Sequence, residues 1–391
     1  MEREPTLIEA MPAESIGRAG LELLRQGHEV VTDGNVTLFL TEEDAESLLT
    51  DPRFDAVAMA VLHMSGVDDG PLHDLWSNLM FGKDGEEHRR IRSTVARHFT
   101  PSALARHEPT FSAIAKELAA SLPDGEVVDL WPAYSLPLAA RTACAVVGIP
   151  DEDAPAVAEW ALLLVRAFGV LVPEDRPLLE DAATKFTAFL DDLIDAKRVA
   201  PGDDIISALL ADTNQTITYD ETRALAANLV FGGLEAVTKA LLTSVYHLLQ
   251  HDLWDDLGRA EHLDHAVAEL LRFHPPAGGV FRLAGEEIDV GGTVLQPGQL
   301  AVPNLWAACR DARRYDAPDE LRIDRKPGRP HPFGAGSHFC IGYAQAKLVL
   351  AAGLSALRER APVLSFAVDP AELPWSQDPF DGLHALPVRI G

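Results

Sequence analysis

The chain has 391 residues, 47% of them hydrophobic, which is ample for a large buried core. Its 60 acidic and 33 basic side chains give a formal net charge of −27, and so acidic a surface argues against nucleic-acid and membrane partners. The three cysteines, Cys144, Cys309 and Cys340, form neither an even disulfide set nor a short zinc-type spacing, as expected for a cytoplasmic protein.

Helical periodicity dominates the first 270 residues, where apolar side chains recur at spacings of three and four. The predicted helices cover residues 42–50, 87–98, 103–121, 153–170, 177–197, 203–211, 220–250 and 260–274. Strand-like segments are short and cluster late, at residues 280–283, 288–290, 299–303 and 385–390. Because no internal repeat or low-complexity linker interrupts the pattern, we predict one domain over residues 1–391, mainly α with small β-sheets (α+β).

The most apolar stretch, residues 224–250, is broken by Glu235 and Lys239. Neither uncharged half reaches the roughly 18–20 residues that a membrane-spanning helix needs. Residues 1–30 contain no apolar run that resembles a signal peptide. We therefore expect a soluble protein with no membrane association.

Two pairs of polar residues lie on predicted helices at spacings that place both members on one face. His88 and Arg92 are four residues apart, so both can face one ligand. Glu269 and Arg272 are three apart near the end of helix 260–274. Taken alone, His88 and Arg92 are as consistent with exposed surface charges as with a binding site, and a solvated surface pair is the default interpretation of Glu269 and Arg272.

The most distinctive segment is FGAGSHFCIG at residues 333–342. Its glycines permit positive-φ backbone and close approach of the chain to a flat ligand. From Ile341 onward the pattern becomes helical, so Cys340 is predicted at a helix N-terminus, where the dipole and free N–H groups favour a thiolate. A thiolate is a strong axial ligand for haem iron and favours O–O cleavage. The alternative is a structural cysteine beside a glycine-rich turn.

This segment resembles the haem-binding loop of the cytochrome P450 family, F-G-x-G-x-H-x-C-x-G. The match is complete at its six fixed positions, which are Phe333, Gly334, Gly336, His338, Cys340 and Gly342. The resemblance implies the cytochrome P450 fold, in which iron protoporphyrin IX (haem b) is buried between a long distal helix and the cysteine loop. It also implies that Cys340 is the iron ligand.

Further motifs resemble the same family. His88 and Arg92 match its H-x-R-x-R helix and, with Arg282 and His338, are implied to hold the haem propionates. Glu269 and Arg272 match E-x-x-R, whose implied role is a buried ion pair that ties the helix to the loop leading into the cysteine segment. The sequence has Glu320 where the family often has arginine, so the third partner of this network stays open.

The segment from Gly232 to Thr238 resembles the distal oxygen-binding helix, A-G-x-[D/E]-T-[T/S]. The glycines leave room for O₂ or allow another helix to pack closely. Glu235 matches the acid, but Ala236 replaces the threonine whose hydroxyl helps to deliver protons, a contribution typically worth about 10²–10⁴ in rate. Thr238 is about 200° around an ideal helix and is predicted to face away.

Three explanations for Ala236 remain open. A hydroxyl or ordered water on the substrate replaces the threonine, Glu235 relays protons through water, or the reaction does not need the usual delivery. The predicted substrate-pocket residues, chosen by position in the family fold, are equally typical of core packing. They are Met80, Val230, Phe231, Leu234, Ala277, Val280 and Phe380. Segments 60–75 and 168–178 contain Gly and Pro and could act as lids.

The leading hypothesis is a monooxygenase that inserts one oxygen atom from O₂ into an apolar small molecule of secondary metabolism. The resemblance implies a monomer that receives electrons from a ferredoxin and a ferredoxin reductase, with Arg89, Arg97 and Lys347 as a basic docking patch. One alternative, motivated by Ala236, is an atypical haem-thiolate enzyme for oxidative coupling or peroxide-driven oxidation. Another is a non-catalytic haem module.

Overall fold

The computed structural model describes residues 16–212, 216–259, 263–326, 328, 332–375 and 380–391. The α-helices in these residues are Ile16–Arg25 (α1), Glu42–Thr50 (α2), Ala58–Met64 (α3), Pro71–Ser77 (α4), Gly85–Ala96 (α5), Pro101–Leu104 (α6), Glu108–Ala120 (α7), Leu136–Val147 (α8), Ala154–Leu164 (α9), Arg176–Val199 (α10), Ile205–Leu210 (α11), Tyr219–Gln250 (α12), Trp254–Leu257 (α13), Leu263–Phe273 (α14), Leu305–Ala308 (α15) and Tyr343–Arg360 (α16). The strands are Val30–Asp33 (β1), Val36–Phe39 (β2), Phe54–Ala56 (β3), Val127–Asp129 (β4), Arg282–Ala284 (β5), Ile288–Val290 (β6), Thr293–Leu295 (β7), Leu300–Pro303 (β8), Leu364–Phe366 (β9) and Pro387–Ile390 (β10).

The chain forms two compact units, and each is built from separate stretches of sequence. The first unit consists of Met1–Val57, Ala260–Cys340 and Trp375–Leu383. The second consists of Ala58–Arg259, Ile341–Pro374 and His384–Gly391. The single domain that we predict over residues 1–391 stays a prediction.

The first unit is organised by a five-stranded sheet in the order β1-β2-β8-β5-β3. Strands β2 and β8 are parallel, and the other neighbours are antiparallel. Asn304 fixes α1 beside this sheet, because its buried side-chain amide donates to the Ile16 carbonyl oxygen at 2.6 Å. A Cβ at Gly20 would lie 2.0 Å from the Asn304 side chain, so only glycine permits this close approach.

The second unit is mainly helical around α12, whose most extensive contacts with other helices are those with α8 and α16. Thr218 and Glu221 form a reciprocal capping box that begins α12. Gly353 of α16 allows tight packing, since a Cβ there would lie 2.8 Å from a methyl carbon of Leu138. The small sheet β4-β10-β9 completes this unit.

The eight predicted helices are confirmed, with some ends shifted, although residues 260–262 of the last one lie outside the described residues. The predicted late strands correspond to β5, β6, β8 and β10. The prediction that strands cluster late was wrong for β1, β2, β3 and β4. These strands are three or four residues long, and β2, β3 and β4 pair with β8, β5 and β10, which lie far along the chain.

Helix α12 is long and apolar enough to cross a membrane by length and composition. However, 78% of its most apolar window is buried inside the protein. This burial is typical of the core helix of a globular unit.

Candidate active site

Cys340 ends a tight loop in the first unit. Its backbone N–H donates to the Phe333 carbonyl oxygen at 2.9 Å, and the Phe339 N–H donates to Gly336 at 3.1 Å. The Cys340 side chain is partly exposed, whereas Cys144 and Cys309 are buried. Burial raises the pKa of the Cys144 thiol to about 12. Of the three thiols, Cys340 is therefore the one accessible to a ligand.

The glycines of this loop have distinct tasks. Gly336 has φ +69°, and a Cβ there would lie 2.2 Å from the Leu49 carbonyl oxygen, so the loop can pack against α2 only with glycine. Gly334 has φ +71°, and no heavy atom of the described residues lies within 4 Å of a Cβ built there. The loop thus has an open side and an accessible thiol, which fits the approach of a flat haem.

Helix α16 begins just after this loop, with Gly342 as its N-cap. Cys340 lies two residues before the cap, as its predicted position at a helix N-terminus requires. The dipole effect falls off within the first turn, so the helix contributes modestly to thiolate stability.

The predicted Glu269–Arg272 pair is buried on α14. The Arg272 Nε donates to Glu269 Oε2 at 2.7 Å, and Nη2 donates to Oε1 at 2.9 Å. The Arg272 Nη1 also donates to the carbonyl oxygens of Cys309 and Pro318 at 2.8 and 2.9 Å. One guanidinium therefore ties α14 to the segment that follows α15.

Arg325 is the third partner that the sequence left open. Its Nε donates to Glu269 Oε1 at 3.0 Å, and the backbone N–H of Arg322 donates to the same oxygen at 3.0 Å. Burial alone would raise the pKa of Glu269, but Arg272, Arg322 and Arg325 outweigh it, so the pKa lies below its usual value. Glu320 contributes its carbonyl oxygen to Arg325 rather than a charge.

Other predicted residues of the first unit lie around the cysteine loop. Ala277 and Val280 pack against the cluster of Leu49, Leu305 and Ala335, the last of which belongs to the loop. Ala277 also forms an antiparallel bridge with Phe380. These three predicted pocket residues therefore come together.

Arg282 and His338, both implied propionate partners, also belong to the first unit. Arg282 is buried in β5, and its Nη1 donates to the Phe281 carbonyl oxygen at 3.0 Å. His338 is partly exposed at the end of a 3₁₀ turn that begins at Gly336. His338 lies within the cysteine loop that the resemblance assigns to haem binding. Arg282 lies on the strand whose arginine the resemblance implies to hold a haem propionate.

In the second unit, α5 presents His88 buried and Arg92 half-buried. Arg90 has a different task, because its guanidinium pairs with Glu221 and donates to the Thr216 carbonyl oxygen at 2.7 Å. It therefore helps to fix the start of α12. No pattern within α5 alone could predict this partner.

The two glycines in the middle of α12 serve different purposes. Gly232 is exposed, and no heavy atom in the described part of the chain lies within 4 Å of a Cβ built on it. A Cβ at Gly233 would lie 3.1 Å from the Ala143 Cβ of α8. Gly232 thus opens a space on the face that it shares with half-buried Ala236, while Gly233 allows helix packing.

Glu235 is buried and pairs with Lys239, whose Nζ lies 2.6 Å from Glu235 Oε1. Lys239 is fully buried. The Thr238 hydroxyl donates to the Leu234 carbonyl oxygen at 2.8 Å and is also fully buried, so it faces the core as predicted. The pairing of Lys239 was missed, although a carboxylate and a lysine four apart in an apolar helix were a usable signal.

The predicted pocket residues Met80, Val230, Phe231 and Leu234 are all buried. Phe231 packs against Trp76, with ring centroids 5.7 Å apart, and Trp76 in turn packs against Phe168 at 5.7 Å. The rings of Phe81 and Phe168 are tilted against each other, with centroids 4.7 Å apart. Sequence reasoning missed this aromatic cluster, because its members are far apart in the chain.

The two predicted lid segments are tied to each other and to α10. The Leu171 backbone N–H donates to the Ser65 hydroxyl at 3.0 Å. Leu72 donates its N–H to Glu180 at 2.9 Å, and Arg176 donates to the Gly66 carbonyl oxygen at 2.8 Å. The bonds hold both segments in place in this structure.

Known proteins match this chain over most of its length. The family model for cytochrome P450 matches residues 250–365. Cytochrome P450 monooxygenase PikC of Streptomyces venezuelae is 31% identical over 90% of this chain and 85% of its own length. Mycinamicin IV hydroxylase/epoxidase of Micromonospora griseorubida is 29% identical over 86% of this chain and 84% of its own length.

The solved structures agree with the fold. The crystal structure of CalO2 is 27% identical and has a TM-score of 0.90, covering 96% of both chains. The buried E-x-x-R network and the accessible thiol loop lie within the residues 250–365 that the family model matches. The chain therefore belongs to the cytochrome P450 family and is an oxygen-incorporating oxidoreductase that uses haem b.

Proposed function

We propose that this cytochrome P450 monooxygenase oxidises an apolar secondary metabolite by hydroxylation or epoxidation, with Cys340 as the ligand to its haem iron. The accessible Cys340 thiol on an open glycine loop carries the proposal. Relatives named 6-deoxyerythronolide B hydroxylase and luteothin monooxygenase, 30% and 29% identical, support a substrate of this kind. The buried aromatic cluster around Trp76 and Phe231 supports an apolar one.

When bound, the haem supplies the reductive activation of O₂. We propose that its propionates are held by His88, Arg92, Arg282 and His338. Each charge-assisted hydrogen bond of this kind contributes roughly 1.5–3 kcal/mol. Residues Phe333, Gly334 and Gly342 shape the backbone of the loop.

Electrons come from a redox partner, for which we propose a ferredoxin and a ferredoxin reductase. Exposed Arg89 and Arg97 and half-buried Lys347 are candidate contacts for an acidic partner. We also propose that the enzyme is a cytoplasmic monomer of one domain, with no nucleic-acid or membrane partner.

Insertion of one oxygen atom consumes O₂, two electrons and two protons, and it releases one water. Protons must therefore reach the open face of α12 at Gly232. Ala236 has no hydroxyl to deliver them, and the Thr238 hydroxyl is bonded within its own helix. We propose that Glu235, or a hydroxyl or water held by the substrate, replaces the usual donor.

Ala236 also favours a second candidate, in which the enzyme performs oxidative coupling or uses peroxide directly. A comparison of electron donors separates the two. With purified enzyme and a substrate found by a haem spin-state screen, we expect product with ferredoxin, its reductase and NAD(P)H at a rate at least tenfold above that with hydrogen peroxide. A faster reaction with peroxide would contradict monooxygenation, and a substrate that never perturbs the haem spectrum would favour a non-catalytic haem module.

Substitution of Ala236 by threonine tests how protons are delivered. We expect Ala236→Thr to leave coupled turnover unchanged or to lower it a fewfold, because under this proposal Glu235, or a hydroxyl or water held by the substrate, already delivers the protons. Coupling is measured as product formed per NAD(P)H consumed, with Thr238→Val as the control for a buried hydroxyl. A rise of tenfold or more would show that the missing hydroxyl limits the enzyme.

A further inference from the structure

A line of polar side chains runs along the second half of α12. Glu235, Lys239, Thr243, His247 and His251 follow one another at intervals of four residues. Side chains at this interval are neighbours on a helix, and each step rises about 6 Å. Apolar residues otherwise dominate this part of the helix, so the line is the polar route along it.

The inner end of the line is the buried pair of Glu235 and Lys239. The two charged groups lie 2.6 Å apart, and Lys239 has no exposed surface. Burial of an ion pair is opposed by the loss of hydration of both charges. Glu235 directly precedes Ala236 and Lys239 follows it by three residues, on the same stretch of helix as the open Gly232.

The middle of the line is Thr243, which is 2% exposed. Its hydroxyl has no hydrogen-bond partner among the residues that the structure describes. The neighbouring buried hydroxyl of Ser244 differs, because it donates to the Ala240 carbonyl oxygen at 2.6 Å. A hydroxyl that is not bonded to its own helix can accept a proton from one side and donate one to the other.

The outer end reaches the surface at the C-terminus of α12. The rings of His247 and His251 have centroids 5.9 Å apart. His247 is half-buried, and His251, the C-cap, is exposed. Histidine exchanges protons near neutral pH more readily than any other side chain.

We propose that these five residues conduct protons from solvent to the open face of α12, with Lys239 as the residue that positions and recharges Glu235. Lys239 passes each proton to the ionised Glu235 carboxylate, which releases it toward O₂ reduction. Lys239 is recharged through Thr243 and His247 from His251, so one proton enters for each one used. The inference rests on the proposed monooxygenase function and names the route for its two protons.

Thr243→Val tests the route at its buried middle link, because valine keeps the shape of threonine and removes only the hydroxyl. We expect product per NAD(P)H to fall at least fivefold, the solvent deuterium isotope effect on turnover to rise, and the reduced carbon monoxide spectrum to stay as in the wild type. Ser244→Ala, the matched control one residue along, should change none of these. Equal product per NAD(P)H and equal solvent isotope effects in Thr243→Val and Ser244→Ala would overturn the proposal.

Lys239→Met tests the inner end with a measurement that does not depend on turnover. Difference infrared spectroscopy of the holoprotein, with Glu235→Gln to identify the band, should show an ionised Glu235 in the wild type and a protonated one in Lys239→Met. Lys197→Met, which removes the lysine of the pair 2.6 Å from Asp204, should leave the Glu235 band unchanged. A Glu235 band unaffected by Lys239→Met would contradict the pairing. If Lys239→Met does not fold, the comparison of Thr243→Val with Ser244→Ala decides alone. A wild-type protein without the thiolate-type carbon monoxide spectrum would instead reject the proposed function.

Discussion

Cys340→Ser is expected to abolish monooxygenase turnover, with a loss of at least about a hundredfold, since changes even in groups that only support a ligand typically lower metal affinity or activity by 10–100-fold. Serine has nearly the shape of cysteine, so the backbone bond from residue 340 to Phe333 should survive. A neutral hydroxyl cannot donate electron density as a thiolate does. Turnover and the haem absorbance spectrum would be measured together.

Cys144→Ala is the matched control for this experiment. Cys144 is buried in α8 with a raised pKa, so its loss should lower stability without changing the haem spectrum. Retained thiolate-type absorption in Cys340→Ser, or its loss in Cys144→Ala, would contradict the assignment of the ligand.

Loss of one charge from the Glu269 network is expected to have the largest effect on stability. Arg272→Met leaves the Glu269 carboxylate buried with part of its charge unpaired, and removal of one partner of a buried pair typically lowers the free energy of unfolding by about 3–5 kcal/mol. The carbonyl oxygens of Cys309 and Pro318 also lose their donor. Denaturant unfolding of the holoprotein measures the change, with loss of haem as a second signal.

Asp256→Asn provides a matched comparison. Asp256 and Arg259 are also three residues apart, and the Arg259 Nη2 lies 2.7 Å from Asp256 Oδ1. Both of these side chains are exposed. Exposed pairs typically contribute about 0–1 kcal/mol, so this variant should be close to the wild type. Similar decreases in the free energy of unfolding for Arg272→Met and Asp256→Asn would show that burial does not set the strength of the Glu269–Arg272 pair.

The same network predicts a pH dependence of stability. The folded-state pKa of Glu269 is lowered below its usual 4.5, so its ionisation stabilises the fold above that pH. The stabilisation is lost as the pH falls through the lowered folded-state pKa. Glu269→Gln should therefore flatten the acid limb of the stability profile, and parallel profiles for wild type and variant would contradict this.

Sequence patterns predicted those elements that have a clear period or a fixed motif. Helix α12 was predicted within one residue of its observed ends, because a capping box begins it and no proline interrupts its 32 residues. Helix α8 was missed, since eight of its twelve residues are buried and its polar face is narrow. Strand β2 was missed because its partner β8 lies far along the chain. Strand β1 pairs with its neighbour β2 and, at four residues, is too short to show a clear alternation.

The site residues divide in the same way, into those that a motif predicts and those that only the fold brings together. The resemblance placed Glu269 and Arg272 together, and the structure confirms that they are paired. Arg325 could not be predicted, because its contact with Glu269 crosses an irregular loop with no period. Sequence alone could not separate the roles of Gly232 and Gly233 either, since only the position of α8 decides which one faces open space.

The central claim is a bond between the Cys340 sulfur and haem iron, and the carbon monoxide complex of the reduced wild-type protein tests it most directly. The claim predicts a strongly red-shifted Soret band, the signature of thiolate-ligated haem iron in its carbon monoxide complex. A Soret band at the position typical of histidine-ligated haem, or a protein that stays colourless after haem supplementation, would contradict it.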